Sequence, residues 1–157
     1  MTRFEFTTDA DLITKLVTIP ECYRRSMSDG SPAIEMFRVT GSEPVGFVVG
    51  YENGTPVAIY LLIPAPDGAA EVHCAVVPSA WGRGEGITKD FCEWVWKHTG
   101  ITYLIGKVPS YNRLCVRLAR RIGFAFNGSI SGGTRRGKPF DFLISKLDRP
   151  ALHLKVV

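Results

Sequence analysis

The chain has 157 residues, 45% of them hydrophobic and 22% charged, with a formal net charge of +4. That balance fits one globular domain with a sizeable core and speaks against disorder. No apolar run reaches the roughly 20 residues of a membrane span, and the polar start "MTRFEFTTDADL" does not read as a signal peptide, so a soluble cytoplasmic protein is expected.

"RFEFT" reads as a first strand. "TTDADLITKLVTIP" reads as a helix, with Thr8 or Asp9 as its cap and Leu12, Ile13, Leu16 and Val17 on one face. Pro20 is expected to end it, and "ECYRRSMSDGS" is a second short helix stopping at Asp29-Gly30. "VGFVVGYENGTPVAIYLLIP" is two β-rich runs around Asn53-Gly54, a strong hairpin signal. After an Asp67-Gly68 turn, "AEVHCAVVP" is a further strand. From Ile87 onward, apolar residues at 87, 91, 94, 95 and 98 trace a helical face. "ITYLIGKVP" is a strand. "SYNRLCVRLARRIGF" is a helix with Leu114, Leu118 and Ile122 along one side and Gly123 as its stop. "AFNGSI" and "FDFLISKL" close the chain as two strands around the turn-rich "SGGTRRGKP". The order predicts a single α/β domain over residues 1–157, with an α+β mixed, mostly antiparallel sheet rather than a doubly wound parallel one.

Cys22, Cys74, Cys92 and Cys115 are widely spaced and read as free thiols. His73, His98 and His153 lack metal-ligand spacing, so no metal is expected. The basic groups "YRRS", "RLARR" and "TRRGKP" form no dense stripe, so no nucleic-acid partner is expected.

Between the strand and the helix lie Gly82, Gly84 and Gly86 in "PSAWGRGEGITK". Glycines there serve either positive φ angles or close approach of a ligand to the main chain. A helix N-terminus offers unpaired N–H groups and a positive dipole end, which suit a phosphate. The loop has no Gly-Lys step of a P-loop, and Ile87 stands at the sixth position of a dinucleotide fingerprint.

"VVPSAWGRGEG" resembles the coenzyme A pyrophosphate loop of the GNAT superfamily of acyl-CoA-dependent N-acyltransferases. Pro78, Gly82, Gly84 and Gly86 match its proline and glycines. "YNRLCVRLARRIGF" is similar to the family's Asn-x-x-Ala-x-x-x-Tyr-x-x-x-Gly-Phe helix, with Asn112, Gly123 and Phe124 in register. "VGYENGTPVAIYLL" is similar to its central hairpin, so the likeness covers about residues 45–146. The Trp-Gly form of the loop also looks like that of short GNAT-like proteins of tailed bacteriophages, whose location would be the host cytoplasm.

The resemblance implies the GNAT fold, with helices on both faces of the sheet, and acetyl-CoA as cosubstrate. Backbone groups of Val76 and Val77 would hold the pantetheine arm. The loop of Trp81, Gly82, Arg83, Gly84, Glu85, Gly86 and Ile87 would hold the pyrophosphate through its amides, and Asn112 would bond the cofactor near its thiol. From the residues alone, Asn112 reads equally well as a helix cap. Trp81 departs from the usual Arg or Gln, and Glu85 from an apolar residue.

Ala119 stands where the family keeps its tyrosine acid; Cys115, one turn earlier, is a substitute. A thiolate leaving group with solution pKa of about 8.5 departs without full protonation, whereas the attacking amine needs a base. Glu71 is the candidate base, with His73 on the same sheet face. The expected activity is acetyl transfer to a primary amine on a small molecule or peptide, with a homodimer left open. The other reading is a catalytically degenerate GNAT-fold protein that acts as an assembly or binding factor, for instance in phage particles.

Overall fold

Strand β1 (Arg3–Thr7) leads into helices α1 (Ala10–Val17) and α2 (Pro20–Ser26) in the computed structural model, which describes residues 1–151. His153 lies outside the described residues. Asp9 caps α1 by accepting a hydrogen bond from the Leu12 amide at 3.1 Å. Pro20 does not end α1, which stops at Val17; it opens α2 at a position that needs no N–H.

Strands β2 (Gly46–Glu52) and β3 (Thr55–Pro64) form the expected hairpin. Asn53 and Gly54 both have positive φ (50° and 77°), the conformation that makes this pair a hairpin signal. Strand β4 (Ala70–Val76), α3 (Gly84–His98), β5 (Tyr103–Pro109) and α4 (Arg113–Ile122) follow, then β6 (Ala125–Arg135) and β7 (Lys138–Asp148). Two expectations fail locally. Helix α3 begins at Gly84, three residues before the apolar face, because that face marks burial and not the first helical turn. The last hairpin runs through most of "SGGTRRGKP", leaving Arg136 and Gly137 as its positive-φ turn.

The seven strands pair in the order β1-β2-β3-β4-β5-β7-β6, all antiparallel except β4–β5. The fold is therefore the expected mixed α/β type. Side chains alternate across the sheet. Val48, Tyr60, Val76 and Leu104 share one core with Phe91 and Val95 of α3 and Ala119 of α4. Phe47, Val49, Ile59 and Ala75 face α1 through Ile13 and Leu16. Tyr60 fastens α3 to the sheet: it stacks on Phe91 at 3.7 Å, and its hydroxyl lies 2.9 Å from that of Thr88. Leu114 is not on the buried stripe of α4. It is 53% exposed, while Val116 and Ala119 are buried and Ile122 packs against the core, so the packed face takes in Ile122 as predicted but leaves out Leu114.

The parallel pair is the feature that positions the site. Strands β4 and β5 pair only from Ala70–Val72 to Leu104–Gly106. Both strands continue, to Val76 and Pro109, without pairing to each other. The sheet is therefore split beyond Val72. Among the described residues no helix is long and apolar enough to cross a membrane.

Candidate active site

The split leaves backbone groups of β4 facing an opening. Val77 N–H donates to the Val57 carbonyl at 2.9 Å, so Val77 is turned toward β3. Backbone direction alternates along an antiparallel strand. Cys74 and Val76 therefore point their N–H and C=O groups into the gap. This corrects the expectation for Val77, whose amide is already paired. It also narrows the expectation for Val76: its carbonyl accepts from the Trp81 indole N–H at 2.8 Å and from the Cys22 thiol at 3.3 Å. The groups left facing the opening are the amides of Cys74 and Val76 and the Cys74 carbonyl.

A cavity of about 710 Å³ passes through the gap. On the α1 side it is bordered by Tyr23, His73 and Ala75; on the α3/α4 side by Tyr60, Cys74 and Cys115. Its walls are mostly apolar, the usual character of a small-molecule site.

The glycine loop stands at the end of β4. Residues Pro78–Arg83 form a 3-10 turn that runs into α3. None of Gly82, Gly84 and Gly86 has a positive φ. A Cβ added at Gly82 or Gly86 would meet nothing within 4 Å, and at Gly84 only Val76 Cγ2 at 3.9 Å. The glycines thus keep space open in front of the main chain. No side chain caps α3 at Arg83. The Gly84 amide donates to the Trp81 carbonyl, and Ile87, the fourth residue of α3, is within the helical ladder. The amides of Glu85 and Gly86 remain for a ligand.

The charged residues of the loop are directed elsewhere. Glu85 pairs with Lys89 at 2.9 Å and Arg121 at 3.6 Å, and these cations hold its carboxyl below the usual range. Arg83 pairs with Glu52 at 2.7 Å. Trp81 carries the Arg25 guanidinium over its ring at 4.6 Å.

Asn112 borders the cavity and caps α4, its Oδ1 accepting from the Cys115 amide at 3.3 Å. One reading does not displace the other, since the side-chain NH₂ is not used in the cap. Ala119 is buried against the core. Cys115 is linked to Cys74 across the channel. The hydrogen bond between them, and then burial, push the Cys74 thiol well above its usual range. Burial pushes Cys92 up to about 12 and keeps it a neutral thiol.

Glu71 and His73 are joined, with His73 Nε2 2.6 Å from Glu71 Oε1. His73 borders the cavity, whereas Glu71 stands behind it. Sequence reasoning treated the carboxylate as foremost; the i, i+2 spacing on one strand face did contain the pairing. It missed the role of Trp81 and Cys22 at the Val76 carbonyl, because the contact to Cys22 joins residues 54 positions apart.

No family model matches the sequence, and no curated protein sequence matches it. Solved structures do match. An acetyltransferase of the GNAT family from Streptococcus pneumoniae is 16% identical with a TM-score of 0.66, covering 96% of this chain and 100% of its own. A ribosomal-protein-alanine N-acetyltransferase from Brucella melitensis is 17% identical, with a TM-score of 0.69 over 94% of this chain and 99% of its own. An aminoglycoside acetyltransferase solved with coenzyme A and kanamycin is 12% identical, with a TM-score of 0.69 over 95% of both chains. The split sheet, the glycine turn and these whole-chain superpositions agree: the chain has the fold of the GNAT acetyltransferases.

Proposed function

We propose that the protein is an acetyl-CoA-dependent N-acetyltransferase that acts on a primary amine. The observation that carries this is the continuity of the open-faced glycine turn, the unpaired edge of β4 and the cavity through the sheet. These parts fit a long thioester. The amides of Glu85 and Gly86 and the dipole of α3 suit a diphosphate. The Cys74 backbone suits the amide groups of a pantetheine arm. Several structural neighbours are named as acetyltransferases, and four of them are solved with coenzyme A or acetyl-CoA.

Bound acetyl-CoA supplies an activated acetyl group. The Val76 N–H, fixed on a strand, is a preorganised donor toward the carbonyl oxygen as negative charge grows there. His73 takes the proton of the attacking amine, and Glu71 fixes the imidazole through Nε2. No tyrosine acid is needed, because a thiolate is a fair leaving group near neutrality. Cys74, held as a neutral thiol by its bond to Cys115 and by burial, adds no charge to its side of the channel.

Gly86→Asp tests the reading. Asp in the first turn suits α3 and meets no neighbour within 4 Å, so the fold persists. Its carboxylate occupies the space kept for a diphosphate. Calorimetry is expected to show acetyl-CoA binding to the wild type and none to the variant. Equal binding by both proteins, or none by the wild type, would refute the proposal.

A further inference from the structure

Beside the main channel lies a second pocket, of about 250 Å³, bordered by Arg25, Tyr111, Asn112, Arg113, Leu114 and Arg135. It does not include the glycine turn. Three elements distant in sequence bring three guanidinium groups to it: α2, the start of α4 and the end of β6. Among the described residues, no carboxylate lies within 4 Å of any of the three. Aromatic faces hold two of them instead, Arg25 over Trp81 at 4.6 Å and Arg135 over Tyr111 at 3.9 Å. Arg135 also donates to the Arg24 carbonyl at 3.1 Å. Asp29, an acid within reach of the Arg135 charge, is bound to the Arg136 and Gly137 amides and the Thr134 hydroxyl.

Three cations around one concavity repel each other unless an anion joins them. Guanidinium forks match the oxygens of a phosphate or carboxylate, two at a time. Stacking on an aromatic ring fixes a fork and leaves donors for an anion, although Arg135 spends one on the Arg24 carbonyl. We infer that this pocket is an oxyanion site, built to receive a phosphate or carboxylate group next to the channel. Asn112 borders both spaces, so one ligand can reach both. Two molecules can bring the anion: the nucleotide end of coenzyme A through its 3′-phosphate, or an amine acceptor that carries an acidic group. The choice between these sources rests on the acetyl-transfer reading; the anion site itself does not.

Inorganic phosphate is the direct probe, titrated onto the full isotopically labelled chain and followed by NMR. Saturable shifts are expected at Arg25, Tyr111, Arg113 and Arg135. Arg25→Gln/Arg113→Gln should weaken phosphate binding by about tenfold or more. Arg3→Gln/Lys97→Gln removes the same charge at distant exposed positions, and should leave binding close to wild type.

A second arm separates the sources. A 3′-phosphate in the pocket gives the wild type a strong preference for coenzyme A over its 3′-dephospho form, lost in the arginine variant. An acidic acceptor leaves that ratio unmoved and raises KM for acidic amines in the variant, at unchanged kcat. Either pattern supports the site. Shifts confined to Glu85 and Gly86, no saturable shift in the wild type, or equal phosphate binding by the wild type and the arginine variant would overturn it. Failure of the wild type to bind coenzyme A would remove the acetyl-transfer reading while leaving the phosphate result standing.

Discussion

Glu71 and His73 stand two residues apart on one face of β4, joined at 2.6 Å, and of the two the imidazole borders the cavity. Because Nε2 meets the carboxylate, Nδ1 is the nitrogen left to accept a proton from an amine. His73→Gln is therefore expected to lower turnover by about 10²–10⁴. Glu71→Gln should cost less, since a neutral amide still meets the ring. Coenzyme A affinity should stay near wild type in both. Steady-state thiol release over a panel of amines, with coenzyme A binding by calorimetry, reads all three. Equal losses in the two variants would make the carboxylate the base and the histidine its support.

Between α2 and the last hairpin, Asp29 acts as a clasp. Its carboxylate accepts from the Arg136 amide at 2.8 Å, the Gly137 amide at 3.0 Å and the Thr134 hydroxyl at 2.9 Å. The two amide bonds, followed by that hydroxyl, hold its pKa below the ordinary 3.8. The folded state thus keeps the carboxylate ionised after the unfolded chain has begun to bind a proton. The clasp is fully present above the ordinary carboxylate range and is lost as pH falls through the lowered folded value. Asp29→Asn should loosen the hairpin tip at about pH 7, and this difference should vanish in strong acid. Amide exchange at Arg136 and Gly137, compared across pH, measures it; equal protection at neutral pH would dismiss the clasp. Such links show why the sequence was legible in part. Asn53-Gly54, Asp9 and Gly123 carry their conformations in their own chemistry, and the structure has each where it was expected. Leu114 and the start of α3 were misplaced because the stripe that packs, and the first helical turn, depend on neighbours far along the chain. The glycines announced a ligand loop, but local sequence could not say that open space, not φ, was their purpose. The Asp29 clasp and the arginine pocket join residues about a hundred positions apart, beyond any periodicity.

Across the whole molecule, five of the six strand pairings of the sheet are antiparallel, and the one parallel contact ends early. A gap in a sheet costs hydrogen bonds and packing, since strand amides lose partners and apolar walls lose contacts. Here the gap is bounded by firm parts. Tyr60, fully buried and neutral because burial holds its hydroxyl well above the usual phenol range, ties α3 to β3 through Thr88. Gly106 on β5 allows the close approach of Ser145 from β7 on the other side. The opening is thus held apart by packing, so that a ligand which lies along β4 completes the sheet instead of reshaping it. Binding to the folded state alone should then raise thermal stability as mass action requires. At a coenzyme A concentration of about 100 times Kd the gain is about 2.7 kcal/mol. For a chain of this size that corresponds to a Tm increase of roughly 5–10 °C. The far-UV spectrum should stay unchanged, as expected for a preformed site. A thermal melt of wild type and Gly86→Asp with and without coenzyme A provides the comparison. A shift of similar size in both proteins would show that the ligand stabilises through some other surface. A shift in the wild type accompanied by a gain in strand signal would show that the gap closes only on binding.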